Sequence, residues 1–239
     1  MPKIVGVTID EHRELTRQAL FTALSNLLKE QSFETITMAQ ISRRAGVGRT
    51  AVYNHFADKE TLLLELMSAT TQQFTKILSE ALEVVDDPLQ KLRIYIRSQL
   101  ELKHHYHLGE GLNLRSLAAG RDTSKLREHA RILDHILTHL LQLAHHAGEI
   151  QPPSPQTNSL IQACISGQVV PHQPMQKARV IGETEAFILR ALGANEQALR
   201  NIDPRVAELK FIFSDEDADP AAETSSGDTT YLRCPVHVS

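Results

Sequence analysis

The sequence predicts an all-α fold: an N-terminal three-helix domain containing a helix-turn-helix, followed by a larger helical domain. Three observations carry that prediction. Apolar residues recur at helical spacing along most of the chain. No strand-like alternation of comparable strength interrupts them. Between residues 37 and 59, TMAQISRRAGVGRTAVYNHFADK reads as a short helix, a glycine-containing break and a second short helix.

Each element follows from local signals. The first helix spans about residues 10–30, with Leu15, Ala19, Leu20, Thr22, Ala23, Leu24 and Leu27 as its apolar face, and Phe33 and Ile36 close the turn onto it. Thr37 caps the next helix, and Gln40 three residues later completes a capping box, which turns Met38, Ile41 and Ala45 inward. Gly46 ends that helix where a positive φ is needed, Val47 plugs the angle, and residues 49–56 form the second short helix with Phe56 in the core. Asp58 caps a long connector from Lys59 to about residue 85. Pro88 suits the first turn of a helix over 88–107. After breaks at Gly109, Gly111 and Gly120, a long helix covers 124–147 and stops at Gly148. Beyond the PPSPQ connection, 157–167 and 176–192 read as two more helices joined by a proline-bearing loop. Residues 206–213 suit a last packed turn, and the acidic stretch that follows has the composition of a disordered tail. The domains are accordingly placed at 8–60, 61–213 and 214–239.

Composition narrows the function. The chain has 239 residues, 41% of them hydrophobic, and a formal net charge of -4, so bulk charge does not attract a polyanion and any nucleic-acid footprint must be local. Cys164 and Cys234 are far apart without metal spacing and read as reduced thiols. No segment has the length and apolarity of a membrane span or the pattern of a leader, which implies a cytoplasmic protein without membrane partners.

One patch departs from the acidic average. Arg49 and Thr50 stand at the first turn of the second short helix, where side chains reach base edges in a major groove; Arg49 can donate bidentately to guanine. Tyr53 follows on the same face, and Asn54 and His55 extend it. Thr37 and Lys59, each at a helix N-terminus, are placed to meet phosphates, and Arg43 and Arg44 add positive charge.

Across TMAQISRRAGVGRTAVYNHFADKETLL, and especially in AGV, YNHF and KETL, the chain resembles the TetR family of transcriptional regulators, over roughly residues 10–65. The resemblance implies a homodimer that binds a palindromic operator on double-stranded DNA, usually a repressor released by a small-molecule effector. It places DNA contacts on Thr37, the Gly48 to Thr50 turn, Tyr53, Asn54, His55 and Lys59. Ser32 stands where the family often has glycine, and Gly48 where Ser or Thr commonly caps the recognition helix, which costs a possible phosphate contact.

A two-fold DNA site calls for a two-fold protein. Leu160, Ile161, Cys164, Ile165, Ile181, Ile188, Leu189 and Leu192 are expected at the dimer seam, the alternative being that they complete each subunit's core. An effector pocket is expected among helices 88–147, lined by Tyr95, Gln99, Tyr106, Asn113, Arg115 and His139. Twelve histidines raise a second possibility, a Zn²⁺- or Ni²⁺-responsive repressor using His104, His107, His135 and His139, although no cysteine or strong carboxylate pattern accompanies them. A third reading is a protein-interaction module with vestigial DNA binding. Neither a nucleophile with a paired base nor a phosphate-cradling loop supports an enzyme, and no cofactor is implied.

Overall fold

The computed structural model describes residues 9–106, 122–171, 173–211 and 231–232. The chain divides into two compact units, Met1–Ala69 with Tyr106–Leu126, and Thr70–His105 with Arg127–Ser239. As expected, the described structure is helical, apart from one short parallel pairing of Lys210–Phe211 with Tyr231–Leu232.

The first unit contains α1 (Ile9–Glu30), a 3-10 turn (Phe33–Thr35), α2 (Met38–Ala45), α3 (Arg49–His55) and the start of α4 (Lys59–Leu82). Leu20, Leu24, Phe33, Ile36, Ile41, Val52, Phe56 and Leu63 form one buried cluster, with Met38, Ala45 and Val47 packed against it. The apolar face of α1 is rotated from the expected one: Leu15 is 64% exposed and Thr22 is exposed, whereas Phe21 is buried. Five residues separate Leu15 from Leu20, or about 140° around a helix, so both cannot face one core.

The second unit holds the rest of α4, then α5 (Pro88–Tyr106), most of α6 (Ser124–His146), α7 (Thr157–Ser166), α8 (Pro174–Ala191), α9 (Glu196–Arg200) and α10 (Pro204–Glu208). Pro88 starts α5 as expected, and the Asp87 carboxylate accepts from the Gln90 amide at 2.9 Å. Pro174 likewise opens α8 two residues ahead of the sequence boundary, since a first-turn proline forfeits no helical hydrogen bond. Helix α9, absent from the sequence reading, and α10, which overlaps the packed turn expected at 206–213, have five residues each and are capped by Asn195 and Asp203. The expected breaks at Gly109, Gly111 and Gly120 and most of the 214–239 tail lie outside the described residues.

Buried polar groups tie this unit together. Arg93 and Arg97 of α5 both bond the carboxylate of Glu185 on α8, and Arg93 also donates to the carbonyls of Ala198 and Leu199 at 2.9 Å each. Gln90 donates to the Asn201 carbonyl and accepts from the Asp203 amide. Tyr95, fully buried, accepts a hydrogen bond from Gln162 of α7 at 2.9 Å. Burial pushes its phenol pKa from 10.0 up to about 12, against a smaller lowering from Gln162.

That shift has a definite sign. The folded chain keeps the phenol protonated where the unfolded chain ionises, so its contribution is complete below pH 10 and is lost as pH rises towards about 12. Two units correspond to about 2–3 kcal/mol. Urea midpoints at about pH 9 and about pH 11.5 are expected to fall further for the wild type than for Tyr95→Phe; an equal fall in both would exclude Tyr95 as the source.

Candidate nucleic-acid interface

The interface begins with how a two-turn helix is aimed. Thr37 starts α2 through a complete capping box: its hydroxyl accepts from the Gln40 amide at 3.3 Å, while its own amide donates to the Gln40 side chain at 2.8 Å. The Thr37 hydroxyl also donates to Gln40 Oε1 at 2.8 Å, so a phosphate contact by this group would replace that bond. Gly46 closes α2 in the left-handed region at φ 66, which an L side chain rarely adopts. The buried Ser42 hydroxyl donates to the Val47 carbonyl at 2.5 Å and fixes the turn from inside.

Helix α3 then presents two faces. Val52 and Phe56 are buried, and the Phe56 ring packs against Phe21 with centroids 5.9 Å apart. Opposite them Arg49, Thr50, Tyr53 and Asn54 are exposed, Tyr53 by 47%, and His55 is half-buried. This gives a row of donors, acceptors and one aromatic ring on a face whose backbone is held from behind. Gly48 is the N-cap of α3 and supplies no side-chain bond.

The cations around this face differ in how they are engaged. Arg43 is exposed and makes one 3.4 Å bond to the Ala39 carbonyl. Arg44 turns back to α1 and forms a two-point ion pair with Glu30, at 3.0 and 2.5 Å, which holds the Glu30 carboxyl below its ordinary pKa. Lys59 occupies the first turn of α4, but its ammonium points inward and donates to three carbonyls, those of Phe33, Glu34 and Ile36. The sequence placed Lys59 at this helix start; nothing in the spacing signals those three acceptors.

The remaining candidate residues scatter. Tyr95 is buried and the Gln99 side chain adjoins its hydroxyl, but His139 is exposed on α6 and does not line an interior. The Tyr106 side chain, Asn113 and Arg115 lie outside the described residues, as do His107 and the His104 side chain. His135 is exposed, and among the described residues no three His, Cys, Asp or Glu side chains converge as metal ligands do. Gln99 Nε2, on a residue expected at the pocket, and His129 Nδ1, which the sequence did not single out, are buried without a hydrogen-bond partner among the described residues. Of the seam residues, Ile161, Ile165, Ile181, Ile188, Leu189 and Leu192 are buried within their own subunit and Cys164 is half-buried. Leu160, 63% exposed, and Phe187, 61% exposed and absent from the sequence reading, form the apolar surface those helices leave open.

Comparison with known proteins agrees with this geometry. Residues 20–66 match the model for bacterial regulatory proteins of the tetR family. Residues 20–66 therefore form a helix-turn-helix segment of the tetR-family type. An uncharacterised helix-turn-helix transcriptional regulator of Haemophilus influenzae is 32% identical over 75 residues, 31% of this chain and 37% of that protein, so the match spans little more than a third of that relative. Similar solved structures include a fatty acid degradation regulator of Bacillus halodurans (TM-score 0.62, 16% identity, covering 75% of this chain and 97% of that one). A ketosteroid transcriptional regulator of Mycobacterium tuberculosis gives a TM-score of 0.60 at 18% identity, covering 75% of this chain and 95% of that one. These structures share the fold. Among the described residues, no helix is long and apolar enough to cross a membrane.

The uncapped start of α3 leads to a prediction. A Cβ at Gly48 would meet nothing within 4 Å, and its φ of -61 suits any residue. Gly48→Ser is expected to add a cap and restrict the unfolded chain, together stabilising the unit by about 0.5–1 kcal/mol. Urea unfolding followed by circular dichroism checks this; an unchanged or lower midpoint would show that the serine does not cap.

Proposed function

We propose that the protein is a ligand-responsive transcriptional repressor that binds a palindromic operator as a homodimer and is released by a small organic effector. The observation that carries this reading is the exposed face of Arg49, Thr50, Tyr53 and Asn54 on a helix whose other face is sealed by Val52 and Phe56. Side chains so placed reach base edges without the helix moving. The domain division read from the sequence, a reading head followed by an effector and dimerisation domain, is retained here as part of the proposal.

Pairing is supported by the outer surface of α7 and α8. Leu160 and Phe187 border a cleft of about 280 Å³ that Pro152, Pro153, Cys164 and Ala191 also line. Large apolar side chains grouped on one face mark interaction surfaces. Effector binding is supported by the second unit, where, among the described residues, the buried atoms Gln99 Nε2 and His129 Nδ1 have no hydrogen-bond partner and the Gln99 side chain lies beside the Tyr95 hydroxyl. A neutral molecule carrying hydrogen-bond acceptors and donors suits such groups, since each unpaired buried polar atom costs about 1–3 kcal/mol. Two solved structures of similar fold are named as regulators tied to fatty acid degradation and to ketosteroids, in keeping with an organic effector.

Selection of duplexes from a random DNA pool, with and without a strong chelator, tests the reading. A palindromic site in both conditions is the expected result; no enriched site would overturn it, and enrichment that changes with chelator would replace the organic effector with a metal. Arg49→Ala is expected to keep binding but lose discrimination at about one base pair per half-site, worth about 1–3 kcal/mol against the wrong base. Uniform weakening across all sequences would reassign Arg49 to the backbone. Phe187→Glu is expected to yield monomers in sedimentation and at least tenfold weaker operator binding; an intact dimer would place the seam elsewhere.

A further inference from the structure

Helix α5 carries polar side chains on two opposite faces. Gln90, Arg93, Arg97 and Glu101 recur at three- and four-residue spacing and form one stripe. Tyr95 stands two residues beyond Arg93, about 200° around the helix, and Gln99 lies one turn further along the Tyr95 side. There the Tyr95 hydroxyl accepts from Gln162 of α7 at 2.9 Å and donates to the Leu133 carbonyl of α6 at 3.4 Å.

The stripe is bound along its whole length. Gln90 donates to the Asn201 carbonyl at 2.8 Å and accepts from the Asp203 amide at 3.1 Å. Arg93 donates to the Ala198 and Leu199 carbonyls and to the Glu185 carboxylate of α8, which Arg97 also bonds. Glu101 pairs with Lys177, nearer the start of α8, at 2.5 Å. Residues 195–203 thus form a strap that α5 reads through its main chain, while α5 reads α8 through charge.

This clamp is poorly built for stability. Two guanidiniums face one carboxylate where Arg93 and Glu185 are both buried, and Arg93 Nε has no hydrogen-bond partner among the described residues. Burying such a group is costly, and an apolar side chain of similar length would pack there without that cost. Its geometry is exacting instead. One planar guanidinium meets a carboxylate on α8 and two carbonyls of α9 at once, and a one-turn slide of α5 in either direction would take it from all three while leaving it buried.

Resting on the effector-binding reading, we propose that Gln90 and Arg93 are positioning residues for the opposite face of α5: by locking the helix to the 195–203 strap and to Glu185, they hold the Tyr95 hydroxyl and the Gln99 side chain where α6 and α7 meet them. Neither touches the effector. The C-terminal strap belongs to the sensing apparatus although it supplies no lining residue.

The test uses the full chain with a ring-fluorinated tyrosine at position 95, whose phenol ionises at lower pH than tyrosine's, followed by fluorine NMR. Burial raises the folded phenol above its unfolded value, and a helix free to shift lets water reach the hydroxyl and lowers it again. Arg93→Met leaves Glu185 paired with Arg97, so no carboxylate is stranded, and Gln90→Leu alters only the strap side of the clamp. Each is expected to lower the phenol pKa by about one unit or more in a chain that circular dichroism shows to be folded. An unchanged pKa in either folded variant, whatever its melting temperature, would overturn the proposal in favour of a structural role alone. Arg93→Lys keeps the charge but not the planar fork, and the same fall is expected of it; unfolding of all the variants alike would also overturn the proposal. If no organic molecule releases the wild type from its selected duplex, the effector reading fails, and the titration still reports whether the clamp sets the place of Tyr95.

Discussion

A helix of seven residues cannot hold itself. Isolated helices shorter than about 12–15 residues are marginal in water, and α3 must also leave most of its side chains outside. The burial of Val52 and Phe56 against α1 and α4 is the constraint on which the rest of the N-terminal unit depends. A large apolar side chain contributes about 1.5–3 kcal/mol when fully buried, so two such anchors can hold two turns without help from the exposed face. Arg49, Thr50, Tyr53 and Asn54 are thereby released from structural duty. Gly46 and the Ser42 hydroxyl settle the angle between α2 and α3, which decides where that released face points.

The second unit meets the same difficulty with polar chemistry. Helices α9 and α10 have five residues each and bury little beyond Leu199 and Val206. They are held by α5, whose Arg93 grips the Ala198 and Leu199 carbonyls and whose Gln90 bonds on either side of the α9–α10 connection. Glu185 completes the arrangement from α8 and neutralises Arg93 in a place with almost no access to water. A buried ion pair contributes little net stability when desolvation is counted, but removing one partner leaves an uncompensated charge. Such a group penalises every alternative register of α5 against α8, and that penalty keeps short C-terminal helices in one place.

What the sequence made readable follows from the range of the interactions involved. Local devices were plain: the Thr37–Gln40 capping box, the Gly46 turn, the Asp58 cap and the Pro88 helix start each depend on residues within one turn of each other. The Leu15 side of α1 was misjudged because several leucines allow more than one apolar stripe, and only the partner helices choose between them. The Glu185 pairing and the Lys59 bonds join residues far apart in the chain, so no spacing rule announces them. The second unit was less legible for another reason. Apolar residues on α7 and α8 have two possible destinations, their own core or a partner, and Ile161 and Phe187 look alike on paper while one is buried and the other exposed.

The electrostatics of the exposed α3 face bear on why the proposed operator binding would call for two such units. Arg44 is committed to Glu30 and Lys59 to backbone carbonyls, which leaves Arg43 and Arg49 without a carboxylate partner among the described residues. The chain as a whole is acidic, at -4, so long-range attraction to DNA is weak, and in the proposed complex neutral donors such as the amides of the first turn of α2 would carry part of the contact. Neutral donors position a protein on the duplex but release few counterions, and a single reading head so built binds weakly. Joining two heads makes the second contact intramolecular, which raises overall affinity by orders of magnitude without a new interaction, provided the heads keep the spacing of the half-sites. Binding then depends on geometry more than on charge.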